Sequence, residues 1–476
     1  MIDAPTLAAI LSADRAHLWH PYTPMDEWRS RHDPLVVERA RGPYLYLGNG
    51  DRLFDGNGSW WVSNLGHNAP RLIEALKKQA DRLCHCALAG ITHEPAAMLA
   101  KELAEVAPRD AKRTLDQVFF SDDGSTSIEA AVKMAVQFHA QSAPTAGKKK
   151  SRFLSLDGAF HGETIGATSL GGVEVFRRPF SSVVFDCIHV PSPASDDGSC
   201  APAWGMAFDA LAEILERDHD SIAGLVVEPI VQGAAGMRIY PPAYLRAARD
   251  LCDRYDVLLI ADEVFTGYGR LGPMWGCDLA EIVPDIVCVA KGFTGGVMPM
   301  AATLTHAHIL EAFNGGRHRA FLYGHSYTGN PLGAAVAREV LAIYRDDRVL
   351  DGIAERHALI LGCFERLSAD PIGSRIARNP RAIGGIGACD LVGSATTMTS
   401  ATVPAIETTD DLRATGAGYT ASIGWQVYDE AKKRGAYLRP LGDVVYVVPP
   451  LNVGIEELEG LLGIVEESVI AVAKRV

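Results

Sequence analysis

The sequence predicts an α/β protein with a large domain on a mostly parallel central sheet and a smaller α+β domain built from both chain ends. From about residue 118 to residue 306, short apolar runs alternate with helical patterns, as in βαβ units. These runs are rich in β-branched residues and continuously apolar, as expected of strands covered on both faces. The 476 residues are also enough for two or three domains.

Six runs in this region are predicted as strands. They are QVFFS (117–121), RFLSL (152–156), GLVVEP (224–229), VLLIAD (257–262), DIVCVAK (285–291) and MAATLT (300–305). Helices fit between them, for instance over 241–256, where two prolines suit a helix start. Turn-like composition predicts loops at 191–204 and 392–424. We therefore expect residues 1–70 and 341–476 to form the small domain and residues 71–340 the large one.

The composition excludes several classes of protein. A formal charge of −13 argues against a surface for nucleic acid or an anionic membrane, and the basic run GKKKSR (147–152) is predicted as a solvated loop. No apolar stretch reaches the length of a membrane span, and residues 1–21 do not resemble a signal peptide. The nine cysteines lack framework spacing, which suits the cytoplasm. Cys84, His85 and Cys86 lack further ligands for a metal site, so no metal is predicted.

Two ionisable residues follow apolar strands. Asp262 ends one run, and Lys291 ends the next one, bordered by glycines. Burial makes a lysine amine a usable nucleophile, whereas a buried carboxylate needs a cationic partner. Pyridoxal phosphate meets both conditions, because it takes a lysine in a Schiff base and a carboxylate against its pyridine nitrogen. Taken alone, Lys291 could equally be a lysine that extends from a strand end to solvent.

A phosphate-binding site is predicted within FFSDDGSTSIEAAVKMAVQFH (119–139). A strand leads into a Gly–Ser turn and then into a helix with an apolar face. Gly124, Ser125 and Thr126 would present N–H groups and hydroxyls at the positive end of this helix, where anions bind. Without the lysine and the acid, the same pattern would be an ordinary helix cap.

Two more side chains are candidate ligands. Phe160 follows the RFLSL strand and could stack on a cofactor ring, although it and His161 could also be ordinary core residues. Arg439 precedes a strand near the C-terminus, and its guanidinium would suit a substrate carboxylate. A surface arginine is the alternative for Arg439.

Together these segments resemble the class III aminotransferases of pyridoxal-phosphate fold type I. The likeness covers nearly the whole chain and is most specific in IADEVFTGYGR (260–270) and DIVCVAKGFTGG (285–296). Four segments resemble one branch of the class, which transfers an amino group to an aliphatic keto acid. They are LWHPYTPM (18–25), DGNGSWWVSNLGHN (55–68), YGHSYTGNP (323–331) and LRPLGDVVYVVPP (438–450).

The resemblance implies roles in cofactor binding. Lys291 would bind pyridoxal phosphate covalently and move the substrate proton, and Asp262 would hold the pyridine nitrogen. Gly124 and Ser125 would bind the phosphate. Ser326 would reach the phosphate of a partner subunit, so a homodimer with shared active sites is expected.

It also implies roles in substrate binding. The aromatic residues expected to line the channel are Tyr22, Trp60 and Trp61. Arg439 would bind the distal carboxylate of the keto acid, and Arg270 and Gly324 match other positions of the family's active site.

The chain departs from this family at the position expected for the amino donor. Phe160 and Glu163 stand where the family usually has Tyr and Asp. Both adenosylmethionine and lysine therefore stay open as donors, and so does another ω-aminotransferase activity on ornithine, a diamine or a β-amino acid. A nicotinamide dehydrogenase would need a G-x-G-x-x-G turn, which GNGDRLFDGNG (48–58) does not match. A non-catalytic regulator that binds the cofactor would normally carry an added DNA-binding domain, and the sequence shows no pattern of one.

Overall fold

The computed structural model describes residues 1–31, 34–142, 149–194, 203–392 and 422–476. The strands are β1 (Val37–Arg41), β2 (Tyr44–Leu47), β3 (Arg52–Asp55), β4 (Gln117–Ser121), β5 (Arg152–Leu156), β6 (Cys187–Val190), β7 (Ile222–Val227), β8 (Val231–Gln232), β9 (Arg238–Ile239), β10 (Leu258–Asp262), β11 (Ile286–Val289), β12 (Ala301–Thr305), β13 (Ala377–Ile383), β14 (Ile386–Leu391), β15 (Ala436–Tyr437) and β16 (Val444–Val447).

The helical elements of the same ranges are α1 (Ala4–His17), α2 (Met25–Arg31), α3 (Gly58–Trp61), α4 (Pro70–Ala80), α5 (Glu94–Val106), α6 (Gly124–Gln141), α7 (Ile165–Leu170), α8 (Glu174–Arg177), α9 (Ala203–Asp218), α10 (Pro242–Tyr255), α11 (Ala307–Glu311), α12 (Pro331–Asp346), α13 (Ile353–Ala369), α14 (Ser422–Lys433) and α15 (Ile455–Ala473). No helix in these ranges is both long and apolar enough to cross a bilayer.

A seven-stranded sheet lies at the centre, in the order β4-β12-β11-β10-β7-β5-β6. The strands from β11 to β6 run parallel to their neighbours, whereas β12 is antiparallel to both β11 and β4. The connection between β11 and β12 is too short for a crossover helix, so β12 returns antiparallel. The predicted α/β fold with a mostly parallel sheet is confirmed. All six predicted runs form strands, and only the short edge strand β6 is absent from the prediction.

A second core combines both ends of the chain. β3 pairs in parallel with β15, and β13, β14 and β16 form a three-stranded sheet. Phe54, from the N-terminal part, packs in one hydrophobic cluster with residues of the 360–473 region. The division of the chain at about residues 70 and 340 stays a prediction.

The predicted loops agree with the structure only in part. Lys150 is buried, and its Nζ donates to the carbonyl oxygens of Tyr255 and Asp256 at the C-terminal end of α10, where helix carbonyls attract a cation. The prediction of a solvated loop is therefore wrong at Lys150. Ser422 begins α14, so the predicted loop at 392–424 ends early. Residues 393–421 and 195–202 lie outside the described residues.

A buried ion pair fixes the start of β11 against β10. Arg249 on α10 donates from Nη1 to Asp285 Oδ2 at 2.7 Å, and the same oxygen accepts from Leu259 N at 2.7 Å. Leu259 O in turn accepts from Asp285 N at 2.9 Å. Both side chains of the pair are buried. The two strands that carry Asp262 and Lys291 therefore share one polar anchor at their opposite ends.

Replacing Arg249 by Met is expected to lower the free energy of unfolding by about 3–5 kcal/mol, because the Asp285 carboxylate stays buried without its cation. Adding Asp285→Asn should recover part of this loss. Urea unfolding measures both effects. Arg217→Met is the control, since Arg217 pairs with Asp218 at 2.8 Å on the surface, where solvent screens the pair, and its loss should lower the stability far less. Equal losses for the two Met variants would contradict the role given to Arg249.

Candidate active site

Asp262 and Lys291 come together at the carboxyl edge of the central sheet, where open α/β sheets bind ligands. Asp262 is the last residue of β10 and pairs with Cys288 of β11. Lys291 lies two residues beyond β11, in a short 3₁₀ turn (Lys291–Thr294) with a φ of +51°. The lysine is thus placed by its own left-handed backbone conformation at the start of this turn and not by the strand itself.

The Lys291 amine lies between aromatic rings. Its Nζ is 4.7 Å from the ring centroid of Trp61 and 5.7 Å from that of Phe265, and these two rings pack at 4.3 Å. Burial lowers the pKa of Lys291, and the carboxylates of Asp262 and Glu228 oppose this shift. Lys291 forms no ion pair with any residue in the described ranges. A larger share of neutral amine at neutral pH follows, as a nucleophile or base requires.

Glycines after Lys291 make room for protein rather than for a ligand. A Cβ at Gly292 would lie 2.4 Å from Asn64 Nδ2, and one at Gly295 would lie 2.7 Å from Leu72 Cδ1. The segment after the lysine therefore packs directly against the loop before α4 and against α4 itself. These contacts hold the turn that carries Lys291.

Asp262 is buried and oriented by His161. Its Oδ2 lies 2.8 Å from His161 Nδ1, and His161 Nε2 lies 3.3 Å from Ser155 Oγ. The other oxygen, Oδ1, accepts from Val264 N at 3.1 Å. Across the described part of the chain, no lysine or arginine pairs with Asp262. Both ring nitrogens of His161 therefore have hydrogen-bond partners. One of these partners is Asp262, the candidate catalytic acid.

The neighbouring acid, Glu263, has a structural role. Its carboxylate accepts from the N–H groups of Gly276 (3.0 Å) and Cys277 (2.8 Å) and from the Thr266 hydroxyl. Burial raises the pKa of Glu263 to about 7, and these donors oppose the rise. Two adjacent carboxylates therefore differ in function: Glu263 is saturated by neutral donors, and Asp262 keeps acceptor capacity.

The predicted phosphate-binding site forms at the start of α6. Asp123 caps the helix, because its Oδ1 accepts from Thr126 N at 2.9 Å while Thr126 Oγ1 accepts from Asp123 N. Thr126 is therefore used in the cap, contrary to its predicted role. A Cβ at Gly124 would lie 2.8 Å from Val264 Cγ1, so glycine is required there. Ser125 Oγ accepts from Glu163 N at 3.1 Å, which leaves its hydroxyl proton for a ligand.

A group of aromatic side chains lies beside this predicted phosphate-binding site. The Tyr22 hydroxyl donates to Glu163 Oε1 at 2.6 Å, and the Tyr22 ring meets Trp60 (5.4 Å) and Phe176 (5.6 Å) edge to face. Phe176 in turn contacts the Phe160 ring at 5.6 Å. Phe176 is not predicted from the sequence, because it lies in the four-residue helix α8 and belongs to no recognised motif.

The two predicted substrate arginines differ in their environment. Arg439 is partly exposed, with Cζ 5.3 Å from the Trp60 ring centroid and Nη2 3.4 Å from Tyr22 O. Its Nη1 is buried and makes no hydrogen bond to any described residue, so a donor is left for a ligand. Arg270 is fully buried instead.

Arg270 joins separate parts of the chain. Its Nη1 donates to the carbonyl oxygens of Gly385 (3.1 Å) and Pro449 (2.8 Å), and its Nη2 donates to Asn64 Oδ1 at 2.8 Å. Burial lowers the pKa of Arg270 to about 10. With these contacts Arg270 supports the site from behind, which weighs against its predicted contact with substrate.

Ser326 and Gly324 lie in an exposed segment. His325, between them, places Nδ1 2.9 Å from Asp122 Oδ2, at the end of the strand that leads to α6. This contact anchors the segment beside the predicted phosphate-binding site of the same chain, while Ser326 is exposed.

The two tryptophans belong to a left-handed turn, α3. The φ values are +55° at Gly58, +47° at Ser59, +60° at Trp60 and +72° at Trp61. Left-handed conformation costs a non-glycine residue roughly 1–2 kcal/mol, and strain of this kind is concentrated at functional sites. Trp61 is buried beside Lys291, and Trp60 is exposed beside Arg439.

These residues fit a phosphorylated, cationic ring. A buried acid ends one strand and a shielded amine follows the next one, each without an oppositely charged partner of its own among the described Lys, Arg, Asp and Glu residues. A ring that bonds Lys291 and presents a protonated nitrogen to Asp262 would complete both. The Gly124–Ser125 helix terminus would take its phosphate.

Glu228 is the second buried acid near Lys291, after Asp262, and its titration should be visible in the free energy of unfolding. Burial raises its pKa to about 7, although the N–H groups of Phe160 (3.1 Å) and Gly233 (2.9 Å) bind it. Between about pH 4.5 and 7 the folded protein keeps a proton that the unfolded chain has lost, so the free energy of unfolding falls as pH rises.

Replacing Glu228 by Gln should remove this dependence, by up to about 1.4 kcal/mol per pH unit. A constant loss at all pH values is also expected, because the amide group faces an N–H donor. Unfolding curves from pH 4.5 to 8 measure the slope. Exposed Glu216→Gln is the control and should keep the slope of the original protein. An unchanged slope in Glu228→Gln would contradict the assignment.

Known proteins resemble the chain along nearly its whole length. Residues 27–469 match the model of the family described as aminotransferase class-III. An adenosylmethionine-8-amino-7-oxononanoate aminotransferase of Geobacter sulfurreducens is 39% identical over 465 residues, which cover 96% of each chain. The crystal structure of an enzyme of the same name from Methanocaldococcus jannaschii is 31% identical, with a TM-score of 0.85 over 97% of this chain and 99% of that one.

An amine transaminase from an uncultivated Pseudomonas species, solved in its PLP-bound form, is 30% identical and has a TM-score of 0.82, covering 96% of this chain and 98% of that one. The cofactor of the present protein is accordingly pyridoxal 5′-phosphate, as the lysine, the acid and the helix terminus indicate. With the fold, the site and these relatives in agreement, the chain belongs to the class III aminotransferases.

Proposed function

We propose that this protein is the transaminase that converts 8-amino-7-oxononanoate to 7,8-diaminononanoate in biotin biosynthesis. The observation that supports the proposal is the proximity of Lys291 to Asp262 and Trp61, with Tyr22 and Arg439 against the neighbouring Trp60. We propose that Tyr22, Trp60 and Arg439 form the mouth of the substrate channel. Relatives with this activity in their names match nearly the whole chain. The alternative is another ω-aminotransferase, acting on ornithine, a diamine or a β-amino acid.

Pyridoxal phosphate, when bound, supplies an electron sink that stabilises negative charge on the substrate carbon. Lys291 would hold it covalently at rest and then, as a free amine of lowered pKa, carry the proton to and from that carbon. Asp262, oriented by His161, would accept a hydrogen bond from the pyridine nitrogen. Gly124 and Ser125 would bind the phosphate through the helix terminus.

The acceptor is an aliphatic chain with a carboxylate at its far end, and the channel mouth is suited to both features. The rings of Tyr22, Trp60 and Phe176 give apolar surface for the chain. Arg439 keeps a buried, unbonded Nη1 beside Trp60, which suits a carboxylate. Phe160 would flank the cofactor ring. Gly324, which we propose as a further substrate contact, has open space around it, since a Cβ there would meet only Thr328 Oγ1 at 3.7 Å.

The donor site centres on Glu163. Its carboxylate is fixed by the Tyr22 hydroxyl and its N–H by Ser125 Oγ, so an acidic group stands beside the phosphate cradle. A carboxylate there would attract the ammonium group of adenosylmethionine, which we propose as donor, or that of lysine.

The homodimer is part of the proposal. Leu322 (87% exposed), Tyr327 (61%) and Ile91 (57%) flank the segment of Ser326, and the Tyr327 ring meets His85 at 4.7 Å. Exposed apolar side chains on joined segments suit a second copy of the chain. Ser326 would then reach the phosphate of the partner. A cytoplasmic location is supported by the described cysteines, all of which are unpaired.

The function is tested with purified enzyme, 8-amino-7-oxononanoate and either adenosylmethionine or lysine. One site that serves two substrates in turn predicts parallel double-reciprocal plots for the true donor. Lys291→Ala should give no turnover while remaining a folded dimer, and borohydride should label only the peptide that contains Lys291 in the original protein. No diamine with either donor, together with turnover of ornithine or a β-amino acid, would favour the alternative.

Arg439→Lys should raise the KM for the keto acid by about 10- to 100-fold, because a point charge replaces a planar pair of donors. The kcat should change much less, since Arg439 lies away from the reacting carbon. Arg434→Lys is the matched control, because Arg434 bonds Glu430 at 2.6 Å outside the channel. If both variants keep the original KM, Arg439 does not bind the carboxylate.

A further inference from the structure

The left-handed turn α3 needs a source of stabilisation. Ser59 and Trp60 have φ and ψ of 47° and 58° and of 60° and 45°, which L residues rarely adopt in succession. The main chain contributes hydrogen bonds from Trp61 N to Asn57 O (3.1 Å) and from Val62 N to Gly58 O (3.0 Å). These bonds close the turn, but a right-handed turn would make equivalent ones. Something else must therefore select the left-handed form.

Asp55 is the residue placed to do so. It ends β3, is almost fully buried, and its Oδ2 accepts from Ser59 Oγ at 2.8 Å and approaches His67 Nε2 at 2.9 Å. His67 is itself fixed, because its N–H and carbonyl group form a β-bridge with Gly42. One carboxylate oxygen thus joins the start of the strained turn, through His67, to the connection between β1 and β2.

The turn also positions the substrate arginine. Asn57, just before the turn, accepts from Arg439 N through Oδ1 and donates to Tyr446 O through Nδ2 at 3.3 Å. The Trp61 indole N–H donates to the Tyr446 hydroxyl at 3.3 Å. Any relaxation of residues 58–61 would therefore shift Trp60, Trp61 and Arg439 together.

We infer that Asp55, through Ser59 and His67, holds residues 58–61 in the left-handed conformation, and that this clamp positions the channel for the acceptor's chain and carboxylate. Asp55, Ser59 and His67 are then positioning residues, since none of them contacts the substrate. The inference rests on the proposed function for the identity of the acceptor and on the geometry alone for the clamp.

Glycine and alanine at position 59 separate this role from that of an ordinary hydrogen bond. Both remove the Ser59 hydroxyl, but glycine adopts a positive φ without strain, whereas alanine does not. On the cofactor-loaded enzyme, Ser59→Ala should raise the KM for the keto acid about tenfold and alter the near-UV circular dichroism of the tryptophans. Ser59→Gly should stay within about threefold of the original KM and keep its spectrum.

Ser63 supplies the matched control. It is buried in the same loop, its Oγ has no hydrogen-bond partner among the described residues, and its φ is not positive. There glycine should be no better than alanine. Asp55→Asn should resemble Ser59→Ala, and it should cost less once residue 59 is glycine. If Asp55→Asn does not fold, the Ser59 pair alone decides.

A Ser59→Gly variant as impaired as Ser59→Ala, or more so, overturns the inference. If the original enzyme does not turn over the keto acid, the proposed function fails instead. The spectra of the alanine and glycine variants still decide about the clamp in that case.

Discussion

An amine and a carboxylate share the carboxyl edge of the central sheet without neutralising each other. The parallel pairing of β10 and β11 fixes their separation, and Arg249 with Asp285 anchors the far ends of the same strands. Asp262 keeps acceptor capacity beside His161, and Lys291 lies between aromatic rings without an ion pair among the described residues. A charged ring in contact with both groups would complete them.

Adjacent acids show how local contacts decide the role of a residue. Glu263 receives three neutral donors and becomes part of the scaffold, whereas Asp262 meets one histidine and one N–H group. Two carboxylates on consecutive residues therefore differ in how many further hydrogen bonds they can accept. A buried polar side chain is therefore not by itself a sign of an active site. A buried side chain that can still accept further hydrogen bonds is the better indication.

The sequence predicts those features that have local signals. Continuous β-branched runs predict the six strands, and the residues that follow them predict Asp262 and Lys291. Contacts between distant residues leave no such signal. Glu163 meets Tyr22 across 141 residues and His161 meets Asp262 across 101, so neither pair could be read from a pattern. Lys150 is buried because a helix ends more than a hundred residues later. Thr126 is used in the cap because it exchanges hydrogen bonds with Asp123, the residue that precedes the helix.

The buried guanidinium of Arg270 has a mechanical consequence. Its acceptors belong to segments far apart in the chain: Asn64 lies in the loop before α4, and Gly385 and Pro449 adjoin the smaller sheet of β13, β14 and β16. Swinging that sheet away from the central one would strip a charged group of its acceptors inside the protein, at a cost of several kcal/mol. Reorienting the exposed Tyr22 and Trp60 side chains leaves these buried hydrogen bonds intact. A long, flexible molecule should therefore enter by displacing these two side chains, while the body of the enzyme stays still.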